Sequence, residues 1–219
     1  MPSRFRWTTF DLNDWLPPDW PPDWQEDVAA AVAMATDERA FPRTPVISRE
    51  SQDVQEIARG RVHAEKVRYH LPWLFKAYRN ELLELAREVS REPVSAAEDD
   101  RYGVVLNVQR GTGMRFECHV DSNPLTGLLF CTDHQAGGEL VIANDPKAEG
   151  VAGIDRNCSV IRPRAGHLIF FDARQYPHYA RTLTTDPETR IVAVMNFYTE
   201  SCPESTRPRE LNRHLYADG

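Results

Sequence analysis

Two periodicities divide the chain. In the first half, Leu71, Leu74, Phe75, Tyr78, Leu82, Leu85 and Val89 recur at three- and four-residue steps, which predicts a helix over 72–90 with one buried face. Pro72 falls in the first turn, where the missing N–H is harmless. Residues 51–70 and the alanine-rich 25–36 predict two more helices. Ahead of them, residues 1–24 carry Trp7, Trp15, Trp20 and Trp24 around PPDWPPDW. Proline removes backbone donors and opposes helix, so this stretch reads as an extended arm whose indoles pack on the domain. The polar, proline-bearing segment 91–100 marks a boundary. From Tyr102 the pattern changes to short runs rich in Val, Ile, Leu and Phe: 102–109, 114–121, 125–132, 138–143, 158–162, 167–172 and 190–199. Evenly spaced strands after a block of helices predict a mainly β protein with helical support. The expected core is a double-stranded β-helix, or jelly roll, over 101–219. An N-terminal arm and supporting helices over 1–100 precede it, and the two parts form one integrated domain.

Composition narrows the partners. The net charge of −7 argues against nucleic acid as the main partner. No apolar run approaches the roughly 18–20 residues of a membrane span. The opening MPSRFRWTTFDLNDW lacks the apolar stretch and small-residue cleavage site of a signal peptide. A cytoplasmic location without membrane contact is therefore expected. There Cys118, Cys131, Cys158 and Cys202, scattered and without a CxxC pair, read as free thiols.

The candidate chemistry lies in the strand-rich half. His119 and Asp121 are two apart in a strand-like run, where such residues share a face, and that face would also carry Arg115 and Glu117. His63 and Glu65 have the same spacing, but in a helical stretch they point roughly 200° apart and cannot share a metal. His178 follows the run HLIFFDA and the short loop RQYP. Two imidazoles and one carboxylate occupy one face of an octahedral ion and suit Fe(II) in oxygen-using enzymes. Arg190, opening the apolar run Ile191 to Met195, suits a two-pronged grip on a carboxylate. Each residue taken singly has a plain alternative. His119 and Asp121 can form an ordinary ion pair, His178 can be a loop histidine bonded to water, and Arg190 can pair with Glu188 at the surface.

The ordered set is more specific than its parts. HxD, GGEL at 137–140, RPRAGHLIFFDA at 162–173, His178 and then Arg190 resemble the Fe(II)/2-oxoglutarate-dependent oxygenases, within the prolyl-4-hydroxylase-like group, over about residues 102–199. The resemblance implies iron ligation by His119, Asp121 and His178, and pairing of Arg190 with the distal carboxylate of 2-oxoglutarate. The Gly111-Thr112-Gly113 turn also matches the family. Asn107 stands where relatives often place a tyrosine on the cosubstrate, with Tyr102 as a substitute. The Asp121 carboxylate is missing in halogenating relatives, so oxygen transfer is implied instead. The implied reaction consumes O2, releases succinate and CO2, and oxidises a C–H bond of a small molecule, most simply by hydroxylation. A prolyl or other protein side-chain hydroxylase, and a non-catalytic cupin-like metal-binding module, are the rival readings. Arg115, Glu117, Asn196 and Tyr198 are candidate substrate contacts. Arg110, Arg174 and Arg181 flank the site in sequence and suggest an acidic or amino-acid-like substrate. Each of these residues is equally explained as solvated or structural. His63, His70, His134 and His167 are assigned no role.

Overall fold

The computed structural model describes residues 6–14, 17, 19–44 and 46–211; Trp15 of the predicted arm lies outside them. The chain runs through β1 (Trp7–Asp11), α1 (Trp24–Ala35), β2 (Asp37–Pro42), β3 (Glu56–Val62), α2 (Ala64–His70), α3 (Pro72–Arg79), α4 (Glu81–Val89) and β4 (Val94–Ala96). It continues through β5 (Val104–Arg110), β6 (Leu125–Phe130), β7 (Leu140–Ala143), α5 (Gly150–Asp155), β8 (Cys158–Ile161), β9 (His167–Phe171), β10 (His178–Ala180) and β11 (Thr189–Thr199). All pairings are antiparallel. The major sheet has the order β1-β9-β6-β11-β5-β3-β2, with β4 on the end of β11, and a minor sheet has the order β10-β7-β8. This is the expected jelly-roll core with helical support.

Alternation along β11 explains the layering, because successive strand side chains point to opposite faces. Ile191, Ala193, Met195 and Phe197 join Val32, Val67, Leu71, Leu74, Tyr78 and Leu82 in the core beneath the helices. Val192 faces the other way, with Leu128, Phe130, Leu140, Ile142 and Phe171, into the space between the sheets. Arg190 lies on this second face. Trp20 and Trp24 pack against Trp73 as the arm reading expects, whereas Trp7 is 40% exposed on β1.

Three sequence expectations need correction. Residues 51–70 do not form one helix: 56–62 is a strand between β2 and β5, and only 64–70 is helical. Gly60 weakens a helix there, and a Cβ at this position would stand 2.9 Å from Thr36 and 3.1 Å from Val108. The helix over 72–90 is broken at Asn80 (φ −121°, ψ −92°), whose side chain donates to the Lys76 carbonyl at 2.9 Å and competes with the helical ladder. Residues 1–100 are more than an arm and helices, since they supply β1, β2, β3 and β4 to the major sheet. No helix among the described residues is long and apolar enough to cross a membrane.

Candidate metal and cosubstrate site

Residues 114–121 do not form the predicted regular strand. Their backbone is pinned at intervals instead: Phe116 N–H to Ala180 O at 3.2 Å and Asp121 N–H to Ala173 O at 2.8 Å. Between these ties His119 and His178 exchange both backbone hydrogen bonds, at 3.0 and 2.9 Å. Main-chain bonds thus set the two imidazoles side by side, with ring centroids 4.3 Å apart. One nitrogen from each ring and one oxygen of Asp121 all lie within 4.8 Å of one another.

The second atoms of these side chains are already engaged. His119 Nδ1 lies 2.6 Å from the Glu117 carbonyl and His178 Nδ1 lies 3.1 Å from the Tyr176 carbonyl. A carbonyl only accepts, so each Nδ1 carries a proton and Nε2 is the nitrogen left to face a metal. Asp121 Oδ1 lies 3.3 Å from Nε2 of His119 and 4.0 Å from Nε2 of His178. Its Oδ2 accepts from the Thr126 hydroxyl at 2.5 Å, and Asn123 Nδ2 donates to that hydroxyl at 2.8 Å. Burial opposes ionisation of Asp121, but the bond to His119, the charge of both imidazoles and the Thr126 hydroxyl hold its carboxyl at about 2. Burial and the neighbouring His119 push His178 down to about 4. Burial opposes protonation of His119, but its bond to Asp121 and the charges of Asp121 and Glu117 raise its pKa, so a metal would displace a proton from this ring; two imidazole nitrogens and one ionised carboxylate oxygen would then form a donor set that fits Fe(II). Thr126→Val removes the donor from Asp121 Oδ2, and metal affinity is expected to fall about 10–100-fold, as for other supports of metal ligands. Competitive titration with a chelating dye checks this.

A cavity connects these ligands to Arg190. Arg190 is 2% exposed, its Nε has no hydrogen-bond partner, and its guanidinium carbon stands 5.7 Å from the Phe130 ring centroid. Burial pushes it down to about 9, against the pull of Cys131 and Glu139. The pairing with Glu188 is not formed, because Glu188 contacts His134 Nδ1 at 3.0 Å. An unpartnered, desolvated guanidinium fits a carboxylate that arrives with a ligand. Gly138, at φ +69°, makes room: a Cβ there would stand 2.8 Å from Arg190 Cδ. Gly138→Ala is expected to cost about 1–3 kcal/mol of stability through backbone strain and to weaken 2-oxoglutarate binding by displacing Arg190. Thermal unfolding with and without the keto acid separates the two effects.

A second cavity shares Asn107, His119, Asp121 and Val194 with the first. Asn107 Oδ1 is buried without a partner. An amide presents a donor as readily as an acceptor, so Asn107 suits an oxygen ligand at this border. Glu117 and Asn196 line the second cavity, but Arg115 does not; it pairs with Glu50 at 2.5 Å. Tyr102 and Tyr198 line neither cavity, which is a correction to both assignments. Their hydroxyl and ring surfaces pack with Ala97 and support Arg207 instead. Arg110 pairs with Glu38 at 2.9 Å, Arg181 pairs with Asp155 at 3.0 Å, and Arg174 contacts Cys202. These flanking arginines do not line either cavity. The residues missed by sequence reasoning are Thr126, Asn123, Arg59, Arg61 and Arg207. Ile57, Arg59 and Arg61 at two-residue steps around Gly60 were the available strand signal.

Residues 103–198 match the family model described as the 2OG-Fe(II) oxygenase superfamily. No curated protein matches the sequence. The fold is similar to an oxidoreductase of the 2OG-Fe(II) oxygenase family from Burkholderia pseudomallei (11% identity, 92% of this chain and 89% of that one, TM-score 0.60). AviO1 from Streptomyces viridochromogenes Tue57 is similar at 18% identity, with 94% of each chain covered and a TM-score of 0.60. The epimerase SnoN in complex with Fe3+, alpha ketoglutarate and nogalamycin RO is similar at 14% identity (90% of this chain, 80% of that one, TM-score 0.58). At such identities the likeness to these structures is one of fold.

Proposed function

Proceeding from residues 103–198 as a 2OG-Fe(II) oxygenase superfamily segment, we propose that this chain is a 2-oxoglutarate-dependent dioxygenase acting on a C–H bond of a small molecule. The carrying observation is the convergence of His119, Asp121 and His178 within 4.8 Å at a cavity whose other wall holds the unpartnered Arg190. Iron with 2-oxoglutarate and O2, when bound, supplies an oxidative decarboxylation to succinate and CO2 coupled to C–H oxidation. The chain's own residues do the positioning. The two Nε2 atoms and Asp121 Oδ1 hold the metal on one side, while Thr126 occupies Oδ2 and keeps the carboxylate turned. Arg190 receives the distal carboxylate of the keto acid. Leu128, Leu140 and Val192 line the same cavity and exclude water around that ion pair, where its attraction is strongest.

The cavity on the far side of Asn107, lined from β3, β5, β11 and the adjoining loops, supports a small molecule as substrate. Nogalamycin RO in the SnoN structure is consistent with a natural-product intermediate. Hydroxylation is the outcome we assign, with epimerisation, as in SnoN's name, the other fate of the same C–H cleavage. The motif order HxD, His178, Arg190 supports the prolyl-4-hydroxylase-like grouping. The four free cysteines, three of them buried, suit the reducing cytoplasm. We read the chain as one integrated domain, since strands from 1–100 complete the sheet that carries Asn107 and Arg190.

Anaerobic addition of Fe(II) and then 2-oxoglutarate, followed by visible absorption, tests the proposal. A charge-transfer band that needs both additions is expected. A folded, iron-loaded protein with no such band refutes the cosubstrate and leaves the cupin-like metal-binding module.

A further inference from the structure

We infer that the second cavity seats a neutral, hydroxyl-rich small molecule, such as a cyclitol or a sugar, through acceptors on Glu117, Asn123 and Asn196 and donors on Arg59. This rests on the oxygenase reading above and names the substrate class for the same site. All four residues line the cavity that His119 and Asp121 also line. They come from separate parts of the chain: Arg59 from β3, Asn196 from β11, and Glu117 and Asn123 from either side of the metal-ligand pair.

In three of these side chains the protein engages one polar atom and so fixes what the other presents. Asn196 Nδ2 donates to the Tyr102 carbonyl at 2.5 Å. Asn123 Nδ2 donates to the Leu125 carbonyl and to the Thr126 hydroxyl, both at 2.8 Å. A carbonyl only accepts, so neither amide can be turned round, and each leaves its Oδ1 as an acceptor. Glu117 Oε1 accepts from Thr44 N–H at 3.1 Å, and its Oε2 stands 3.9 Å from Arg59, beyond a hydrogen bond. A carboxylate oxygen has no hydrogen to give, so this atom too only accepts.

Arg59 supplies the opposite chemistry. It is buried, and its guanidinium carbon lies 4.7 Å from the Phe41 ring centroid and 5.8 Å from that of Phe116. Stacking occupies the faces of the fork and leaves its N–H edges for a ligand. Its Nε has no hydrogen-bond partner among the described residues. A guanidinium accepts nothing, so the ligand must bring the acceptor. The cavity therefore calls for a ligand that both donates and accepts. An ionised carboxylate only accepts and leaves the three acceptor oxygens unmet, which is costly for groups withdrawn from water. An ammonium only donates and leaves Arg59 unmet. A hydroxyl does both at one oxygen, and acceptors drawn from separate segments call for several hydroxyls on one frame. Val105 and Val194, from β5 and β11, line the same cavity and suit the C–H bonds of that frame.

The test uses the full chain loaded with Mn(II) and 2-oxoglutarate, and reads the broadening that the paramagnetic ion imposes on ligand protons. The probes are myo-inositol and methyl α-glucopyranoside, set against methanesulfonate, an oxyanion that ligates metals poorly, and cyclohexylammonium. His178→Ala protein serves as the blank for Mn(II) outside the site. The two polyols are expected to broaden several-fold more than the other probes. Glu117→Gln keeps an oxygen for Thr44 N–H and turns an NH2 group to the cavity, exchanging an acceptor for a donor. Polyol broadening is then expected to fall several-fold and that of methanesulfonate to rise, with Mn(II) and 2-oxoglutarate affinity unchanged. A Glu117 that only supports the fold does not reverse the preference. Should Glu117→Gln fail to fold, Asn196→Leu carries the comparison, with the same loss of polyol broadening. Broadening of methanesulfonate or cyclohexylammonium above the polyols, broadening of no probe, or undiminished polyol broadening in the variant overturns the inference. If the wild type binds neither metal nor keto acid, the oxygenase reading fails separately. Saturation transfer from the metal-free protein to the same probes, in wild type and Glu117→Gln, then decides the hydroxyl seat alone.

Discussion

Replacing His178 with alanine is expected to abolish tight Fe(II) binding, and 2-oxoglutarate turnover with it, while the fold survives. The ring supplies one of three ligand atoms that converge among the described residues, and the two that remain would leave the ion held mainly by water. The bonds that align this segment with His119 are made by backbone atoms and are indifferent to the side chain. Loss of a buried ring packed 4.8 Å from Phe171 is expected to cost about 1–3 kcal/mol, within the usual range for a single substitution. Asp121 also loses one of the charges that hold it near 2, so its pKa rises and the residual site competes less well with protons. Iron stoichiometry after anaerobic loading, read beside circular dichroism, separates ligand loss from unfolding. A folded variant that still binds one iron and makes succinate removes His178 from the metal site.

The second large effect concerns Arg190→Met and has two opposite parts. Binding of 2-oxoglutarate is expected to weaken by about 2–5 kcal/mol, the range for truncating one partner of a buried charge pair. At about 1.4 kcal/mol per factor of ten, that is at least thirtyfold in Kd. The unliganded protein is expected to be no less stable, and about 1–4 kcal/mol more stable if methionine fills the space, because a desolvated guanidinium with an unpartnered Nε is replaced by an apolar chain of similar length. Wild type thus gains more from the keto acid on heating, and the variant starts higher and gains little. Equal cosubstrate affinity in the two proteins would sink the role of Arg190.

The candidate site was more legible than the fold around it. His119, Asp121, His178 and Arg190 stand out by order and spacing because metal and carboxylate chemistry would demand such side chains, and the structure brings the four to one cavity. The strand predicted for 114–121 does not form, but the ties to Ala173, His178 and Ala180 impose the same local convergence. Thr126 sat unread inside an apolar run because its purpose depends on where Asp121 Oδ2 points. Arg59 and Arg61 were hidden for another reason. Residues 51–62 carry no strong local preference, and β3 exists because β5 and β2 supply its hydrogen-bond partners. Tyr102 and Tyr198 were drawn toward the site by sequence proximity and alternation, yet Arg207, some hundred residues after Tyr102, claims both.

The edge position of β1 has a practical consequence for handling this protein. Beyond it lies β9, whose sequence HLIFF is almost wholly buried and rich in residues that favour extended self-association. β1 covers that edge with the register Trp7 to Phe171 through Asp11 to His167, and Asp11 sits 3.0 Å from His167 as a charged sentinel at its end. Removing the first eleven residues would uncover a row of unpaired amides and carbonyls beside that apolar ladder, ready to recruit the same strand of another molecule. A shortened protein is therefore expected to precipitate or form strand-swapped aggregates. Thioflavin fluorescence and light scattering on the truncated chain would report it even if every residue around the metal were intact.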